Sequence, residues 1–463
     1  MWLVLALVAL LGTGGAFYVS AGRADGPVID IVQPTRLVGR ASTFEATVEA
    51  PEGNLLSLDA VIEQGDLRLP LFSLDQLSDG DIRQDAANRV RVTRHFDRRS
   101  HPQLVAGEAR IVVSASRPVL FGLRESTAVA ETAVEVRLNP PRLQIVSTFH
   151  YINHGGSEVA VYRVTPPDAE SGVRVGDRHY PGYPAAGAGV GGDDSLRIAF
   201  FALSHDQDLT TRIDLYARDP AGNEGDASFD YRTFPTEYRR SRISISEGFL
   251  RRVVPAIVAR APELADEDIG DDVSVAELVD IYLFINGRLR ESNRATVAAL
   301  AEETSTQLQW DGPFRQLVNS QVESGFADHR TYLHDGDEID HQVHLGFDLA
   351  STANAPVLAA NSGTVVYANF LGIYGNCVIL DHGMGLQTLY AHLSSIDVSR
   401  GDVVSRDEQL GLSGRTGLAG GDHLHFATLL QGRPVTPVEW LDSHWIEDRI
   451  LRKLGEAQAT TAP

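Results

Sequence analysis

Apolar and polar residues alternate in short runs along the first 140 residues. Val28-Ile29-Asp30-Ile31-Val32, Phe44-Glu45-Ala46-Thr47-Val48, Val90-Arg91-Val92-Thr93 and Val134-Glu135-Val136-Arg137 repeat every second position, the period of half-buried antiparallel strands. The clusters Pro51-Glu52-Gly53-Asn54 and Ser78-Asp79-Gly80-Asp81 separate them as turns. Short strands at this spacing predict a β-sandwich domain over residues 27–140.

Pro140-Pro141 marks a boundary, and a second β domain follows over 141–236. Its strands include Val159-Ala160-Val161-Tyr162-Arg163-Val164 and Leu196-Arg197-Ile198-Ala199-Phe200. Its last hairpin, Asp219-Pro220-Ala221-Gly222-Asn223-Glu224-Gly225, resembles the end of bacterial immunoglobulin-like modules. The Gly-rich stretch 187–192 reads as a loop, since no helix start follows it to cradle phosphate. Over 240–305 the period becomes helical. Ser274 is the expected N-cap and Gly287 the expected C-cap of a helix over 275–285. The acidic run 263–272 before it reads as a solvated loop. Residues 306–447 return to β patterning and form a further domain, with 448–463 as a C-terminal tail. The expected fold class is therefore mainly β, with two immunoglobulin-like β-sandwich domains, a short helical segment and a C-terminal antiparallel β-sheet domain.

The chain has 463 residues, and 40 Lys and Arg stand against 62 Asp and Glu, a formal charge of −22. That balance argues against sequence-independent nucleic-acid binding, which needs cations to displace counterions. The single cysteine, Cys377, excludes an internal disulfide and a Cys-based metal site. Flanked by Val378-Ile379-Leu380, it reads as a small core residue. Residues 1–22 hold a compact apolar stretch from Trp2 to Leu11 and the small-residue pattern Val19-Ser20-Ala21. This is a signal peptide or an uncleaved membrane anchor. Either one exports the rest of the chain to the periplasm or cell surface, with the anchor holding it at the inner membrane.

Nine of the 15 histidines fall between His329 and His444. Two patterns stand out there, His344-Leu345-Gly346-Phe347-Asp348 and His423-Leu424-His425-Phe426. Taken as strands, each puts metal-competent groups on one face and an apolar pair on the other. His344 and Asp348 share a face across Gly346, and so do His423 and His425. By the same alternation Tyr390 and His392 share a face, and Tyr390 serves core packing or substrate contact. A catalytic Zn²⁺ takes three protein ligands and leaves one position to water. A further histidine then acts as general base or holds a developing oxyanion. His344, Asp348, His392, His423 and His425 supply every role.

These residues carry a resemblance to the LytM/lysostaphin-like zinc endopeptidases. It runs through His344–Asp348, Gly363-Thr364-Val365, Tyr374-Gly375-Asn376, Asp381-His382-Gly383 and Tyr390-Ala391-His392-Leu393. It continues through Gly401-Asp402-Val403-Val404, Gly414-Arg415-Thr416-Gly417 and His423-Leu424-His425-Phe426, and closes on Pro437-Val438-Glu439-Trp440. The resemblance implies His344, Asp348 and His425 as ligands of Zn²⁺, with His392 and His423 as the catalytic histidines. It also implies peptide cross-links or stem peptides of peptidoglycan as substrate. Phe326-Ala327-Asp328-His329-Arg330 departs from the family's Phe-Gly-x-Arg pattern, and Asn319 is not assigned the inhibitory role that an asparagine holds in some relatives.

Two other functions are compatible with the pattern: a non-catalytic activator of a cell-wall amidase, and a zinc peptidase acting on protein. The β domains are expected to space the catalytic domain from its anchor or to dock a cell-envelope protein. His382 is expected in an exposed turn, and His329, His334 and His341 in a mobile loop at the rim of the site. The segment 263–303 is a candidate inhibitory element, because it directly precedes the catalytic domain.

Overall fold

A computed structural model describes residues 10–15, 18–20, 24–50, 54–76, 81–267, 269–270 and 272–461. The leader and the turns at 51–54 and 78–81 lie for the most part outside them. No helix of the described residues is long and apolar enough to cross a membrane. The chain is mainly β and forms two compact units.

The first unit comprises residues 1–141 with 218–225. One sheet orders Val28–Gln33, Ala41–Glu49, Arg89–Asp97 and Ile82–Ala86. A second orders Leu37–Val38, Arg124–Val136, Gly107–Val119, Ser57–Gln64 and Leu67–Ser73. Alternation does what it predicts: Leu58, Ala60 and Ile62 are buried and share one core with Phe44, Ala46 and Val48 of the other sheet.

The second unit comprises 142–217 and 226–463. Its first part carries Ser157–Thr165 between Arg142–Ile145 and Leu196–Ala202. One core continues from there into the C-terminal part, where the Trp440 ring lies 6.0 Å from Phe200 and 5.8 Å from Trp310. Three helices follow in sequence: α1 (Glu247–Val258), α2 (Val275–Phe284) and α3 (Arg290–Leu300). Ser274 caps α2 through a reciprocal capping box, its Oγ accepting from the Glu277 amide while its own amide donates to the Glu277 carboxylate. Gly287 is not the C-cap. A π-helical turn, Ile285–Leu289, carries the helix straight into α3, held by the buried Asn286, which donates to Asp340 at 2.7 Å.

β1 (Arg240–Ser244) pairs in parallel with β3 (Asp328–His334), which pairs with β4 (Asp337–His344). The polar stretch with His329, His334 and His341 is thus a β-hairpin, bulged between Tyr332 and Leu333, and not a mobile loop. The main sheet runs in the order β2 (Gln321–Ser324), β5 (Phe347–Ala350), β10 (Leu424–Leu430), β8 (Leu386–Leu393), β7 (Asn376–Asp381), β6 (Gly363–Phe370), β9 (Val403–Val404). β8 and β10 are buried at every position, because both faces are covered. Leu389, Ala391, Ala427 and Leu429 pack on Val297 and Leu300 of α3. Tyr390 and Phe426 face the core that holds Trp440 and Phe314.

Two further expectations change. His382 is fully buried, with one ring nitrogen 2.7 Å from the Ser362 carbonyl and the other 2.7 Å from Thr388 Oγ1. The tail is a docked helix, α4 (Arg452–Thr461), with Leu454 and Ala457 in the core. The described residues of the acidic run are mostly exposed, as expected, apart from Leu264, which is buried at the end of the 3-10 turn Pro262–Leu264. Cys377 is buried as expected, and burial pushes its thiol pKa up.

Candidate metal centre

The His344–Asp348 motif is not one strand. His344 ends β4 and Asp348 lies in β5, with the chain turning at Leu345-Gly346. Gly346 is required by contact, since a Cβ there would stand 2.7 Å from both a His425 ring carbon and the Phe426 carbonyl oxygen. The break lets β5 pair with β10 so that Asp348 sits opposite His425. The Nε2 of His344, the Nδ1 of His425 and the Oδ1 of Asp348 then form a near-equilateral triangle with edges of 2.9, 3.0 and 3.0 Å.

That triangle is not a hydrogen-bond network. His344 Nδ1 lies 3.0 Å from the Gly325 carbonyl, so its proton is committed there and its Nε2 offers a lone pair. Burial brings the His425 pKa down to about 4, which keeps that ring neutral. One remaining ring proton cannot satisfy three edges. Two imidazole nitrogens and a carboxylate oxygen converging on one point form the donor set of a divalent metal. Three ligands at tetrahedral angles about a zinc would stand about 3.3 Å apart, so the set fits with a slight opening. Among the described residues, His344, Asp348 and His425 are the one such group of three or more.

His392 reaches the site against alternation. Ala391 sits opposite His425 and Tyr390 opposite Phe426, so a regular strand would turn His392 into the core beside Tyr390. A φ of +65° at His392 swings it back. Its ring then lies 4.9 Å from His423 and 5.8 Å from His425. Tyr390 itself is core, its hydroxyl accepting from the Ala360 amide at 2.8 Å and from Thr388 at 3.0 Å. His392 Nδ1 is 2.8 Å from the Thr416 carbonyl and His423 Nδ1 is 2.9 Å from the Gly421 carbonyl. Both rings thereby keep Nε2 for the site, and that of His423 lies 3.5 Å from Asp348. Burial holds His392 well below the usual histidine range.

Several residues at the site are invisible to motif reading. Arg330 donates to Asp348 Oδ2 at 2.8 Å and to Ser324 at 2.7 Å, orienting the carboxylate from behind. Asp328, 2% exposed, accepts from Ser241. Both lie in the segment 326–330 that departs from the family pattern, and their two-residue spacing on β3 was the available signal. The Tyr374 ring lies 5.8 Å from His425. All five predicted residues, four histidines and one aspartate, line a cavity of about 540 Å³, whose other wall includes Phe249, Arg252, Tyr282 and Arg290 of the helical segment. Asn319 lies elsewhere, its carbonyl accepting from Ser351.

Residues 342–437 match the family description Peptidase family M23, and the C-terminal part of the chain carries an M23 (LytM-type) domain. A stretch of 97 residues is 39% identical to the DD-carboxypeptidase/endopeptidase Mpg of Neisseria meningitidis serogroup B, covering 21% of this chain and 22% of that protein. A stretch of 96 residues is 41% identical to the peptidoglycan DD-endopeptidase ShyA of Vibrio cholerae, with the same coverage. The match thus spans about a fifth of each relative's length. The catalytic domain of lysostaphin from Staphylococcus simulans aligns over 28% of this chain and 98% of that structure, with 28% identity and a TM-score of 0.25.

Proposed function

We propose that this M23 domain is a zinc-dependent endopeptidase that hydrolyses peptide cross-links or stem peptides of bacterial peptidoglycan in the cell envelope. The observation that carries the reading is the triangle of lone pairs on His344, Asp348 and His425, with two further histidines held beside it. The substrate class is drawn from the relatives, two of which are named for endopeptidase activity and one for peptidoglycan.

Zinc bound by His344, Asp348 and His425 would supply Lewis acidity and lower the pKa of bound water toward about 7. The chain's own groups do the rest. His392, with Nδ1–H spent on Thr416, presents an unprotonated Nε2 that takes a proton from the attacking water and returns it to the departing amine. His423, fixed by Gly421, directs Nε2 at the position where negative charge grows on the carbonyl oxygen. Arg330 holds Asp348 in one orientation and keeps it ionised. The β units upstream space this domain from its point of attachment.

The test is to incubate the full chain with purified peptidoglycan sacculi and, separately, with an unstructured protein, and to identify fragments by mass spectrometry. Cleaved peptide cross-links from sacculi alone are expected. A chain that holds zinc yet leaves sacculi intact, while still stimulating a cell-wall amidase, would refute the enzyme reading in favour of a regulator.

A further inference from the structure

A second cavity, of about 630 Å³, lies beside the metal centre and takes no part in that chemistry. Arg178, Arg240, Arg294, Arg330 and Arg433 line it against one carboxylate, Asp206. Such a concentration of guanidinium groups is conspicuous in a chain of net charge −22. The second β domain, α3, the β1–β3–β4 sheet and the short strand Arg433–Val435 after β10 all contribute to it.

The arginines are not equivalent. Arg178 is spent on a bidentate pair with Asp206, at 2.9 and 2.6 Å, and Arg330 on Asp348. Among the described residues neither Arg294 nor Arg433 has a carboxylate at ion-pair distance or a side-chain hydrogen bond; Glu291 and Asp206 act on Arg294 only at longer range, and the face of Tyr180 lies 5.7 Å from Arg433. Arg240 stands exposed at the mouth. The Nδ1 of His205 is buried without a partner. Partly burying arginines without counterions costs free energy, and a concave wall of like charge focuses a positive potential. Both costs are recovered when an anion enters.

We propose that this cleft is a binding site for a carboxylate-bearing peptide, anchored by Arg294 and Arg433 next to the metal centre. The volume suits several residues of chain, far more than a phosphate ion fills. Forked guanidinium groups match carboxylates in bidentate fashion. Arg330 lines both cavities and Leu345 of the cleft adjoins His344, so a peptide anchored by its carboxylate here continues toward the triangle of ligands. The role as a substrate subsite rests on the peptidase reading; the anion site does not.

The test is calorimetric titration of the full chain at low salt with acetyl-Glu-Glu-Glu-amide, acetyl-Gln-Gln-Gln-amide and inorganic phosphate. Neutral 1,10-phenanthroline is present throughout, so that no carboxylate binds through a metal. The acidic tripeptide is expected to bind, and the neutral one not. Affinity should fall with added salt and drop on the order of tenfold in Arg294→Gln and in Arg433→Gln. If either variant fails to fold, Arg240→Gln at the exposed mouth replaces it, with the same direction of change. Absence of binding, binding indifferent to these substitutions, or phosphate binding as tightly as the tripeptide overturns the proposal. Sacculus cleavage is read in parallel on the same protein without the chelator. Cleavage without tripeptide binding removes this inference alone, and tripeptide binding without cleavage removes the peptidase reading alone.

Discussion

The second unit buries two clusters of ionisable side chains, and they are built on opposite rules. In one, Lys453 and Glu158 meet at 2.7 Å with side-chain exposures of 1% and 0%. Glu158 also accepts from the amides of Tyr151 and Val159, and nearby Glu439 accepts from the Ser157 amide at 2.6 Å and from Asn153 at 2.9 Å. Every carboxylate there has its donors. In the other cluster, His344, His425 and Asp348 bring acceptors together, with one ring proton for three contacts, and open on a cavity. The polar groups of the first cluster are already satisfied and hold the fold together. Those of the second are satisfied only when something cationic arrives. Burial alone therefore does not mark a functional site; burial with the wrong balance of donors and acceptors does.

Removing one member of each cluster separates the two rules most clearly. His425→Ala should abolish stoichiometric zinc in elemental analysis and lower cleavage by about 1,000-fold or more, leaving the far-UV circular dichroism unchanged. Retained zinc in that variant would mean the ligand set is wrong. Lys453→Met should do the reverse. It strands a buried carboxylate and costs about 3–5 kcal/mol in urea unfolding, while zinc content of the folded protein stays the same.

Glu439 extends the contrast to pH. Burial raises its pKa from the ordinary value of 4.5 to about 7 against the pull of its hydrogen bonds. A folded pKa above the unfolded one gives stability that is fully present below about 4.5 and is lost as pH rises through about 7. A tenfold change in an ionisation constant is worth about 1.4 kcal/mol, so this group should remove up to about 3 kcal/mol between those values. Glu439→Gln should flatten that part of the stability–pH curve, and an unchanged slope would assign it to other groups. The smallest effect is expected at the far oxygen of Asp348. Arg330→Ala leaves all three donors in place but frees Asp348 to turn, and should weaken zinc about 10- to 100-fold in a competition with a chromogenic chelator.

Much of this was legible in the chain. The two-residue period placed the sandwich strands of the first unit, Ser274 and Glu277 announced the start of α2, and the spacing of His344, Asp348, His423 and His425 gathered the metal-competent residues. Misreadings share one cause. A local pattern gives a period but not what covers each face. His382 looked like a turn residue and is core; Gly287 looked like a helix end and lies inside a π turn; residues 448–463 looked like a tail and supply Lys453 to a buried ion pair.

Local pattern thus supplied the inventory: strand periodicity, a cap, and a set of histidines and aspartate with a family's spacing. Convergence came only with the fold. Asp348 and His425 are 77 positions apart and His344 and His425 are 81 apart. Their donor atoms come within 3.0 Å because β5 pairs with β10 and because Gly346 leaves room at the turn. His392 joins them through a left-handed φ that no alternation rule anticipates. Arg330 behind Asp348 and the arginines of the neighbouring cleft belong to the same category. Long-range pairing sets them in place, and pairing energy depends on surfaces that meet only in the folded chain.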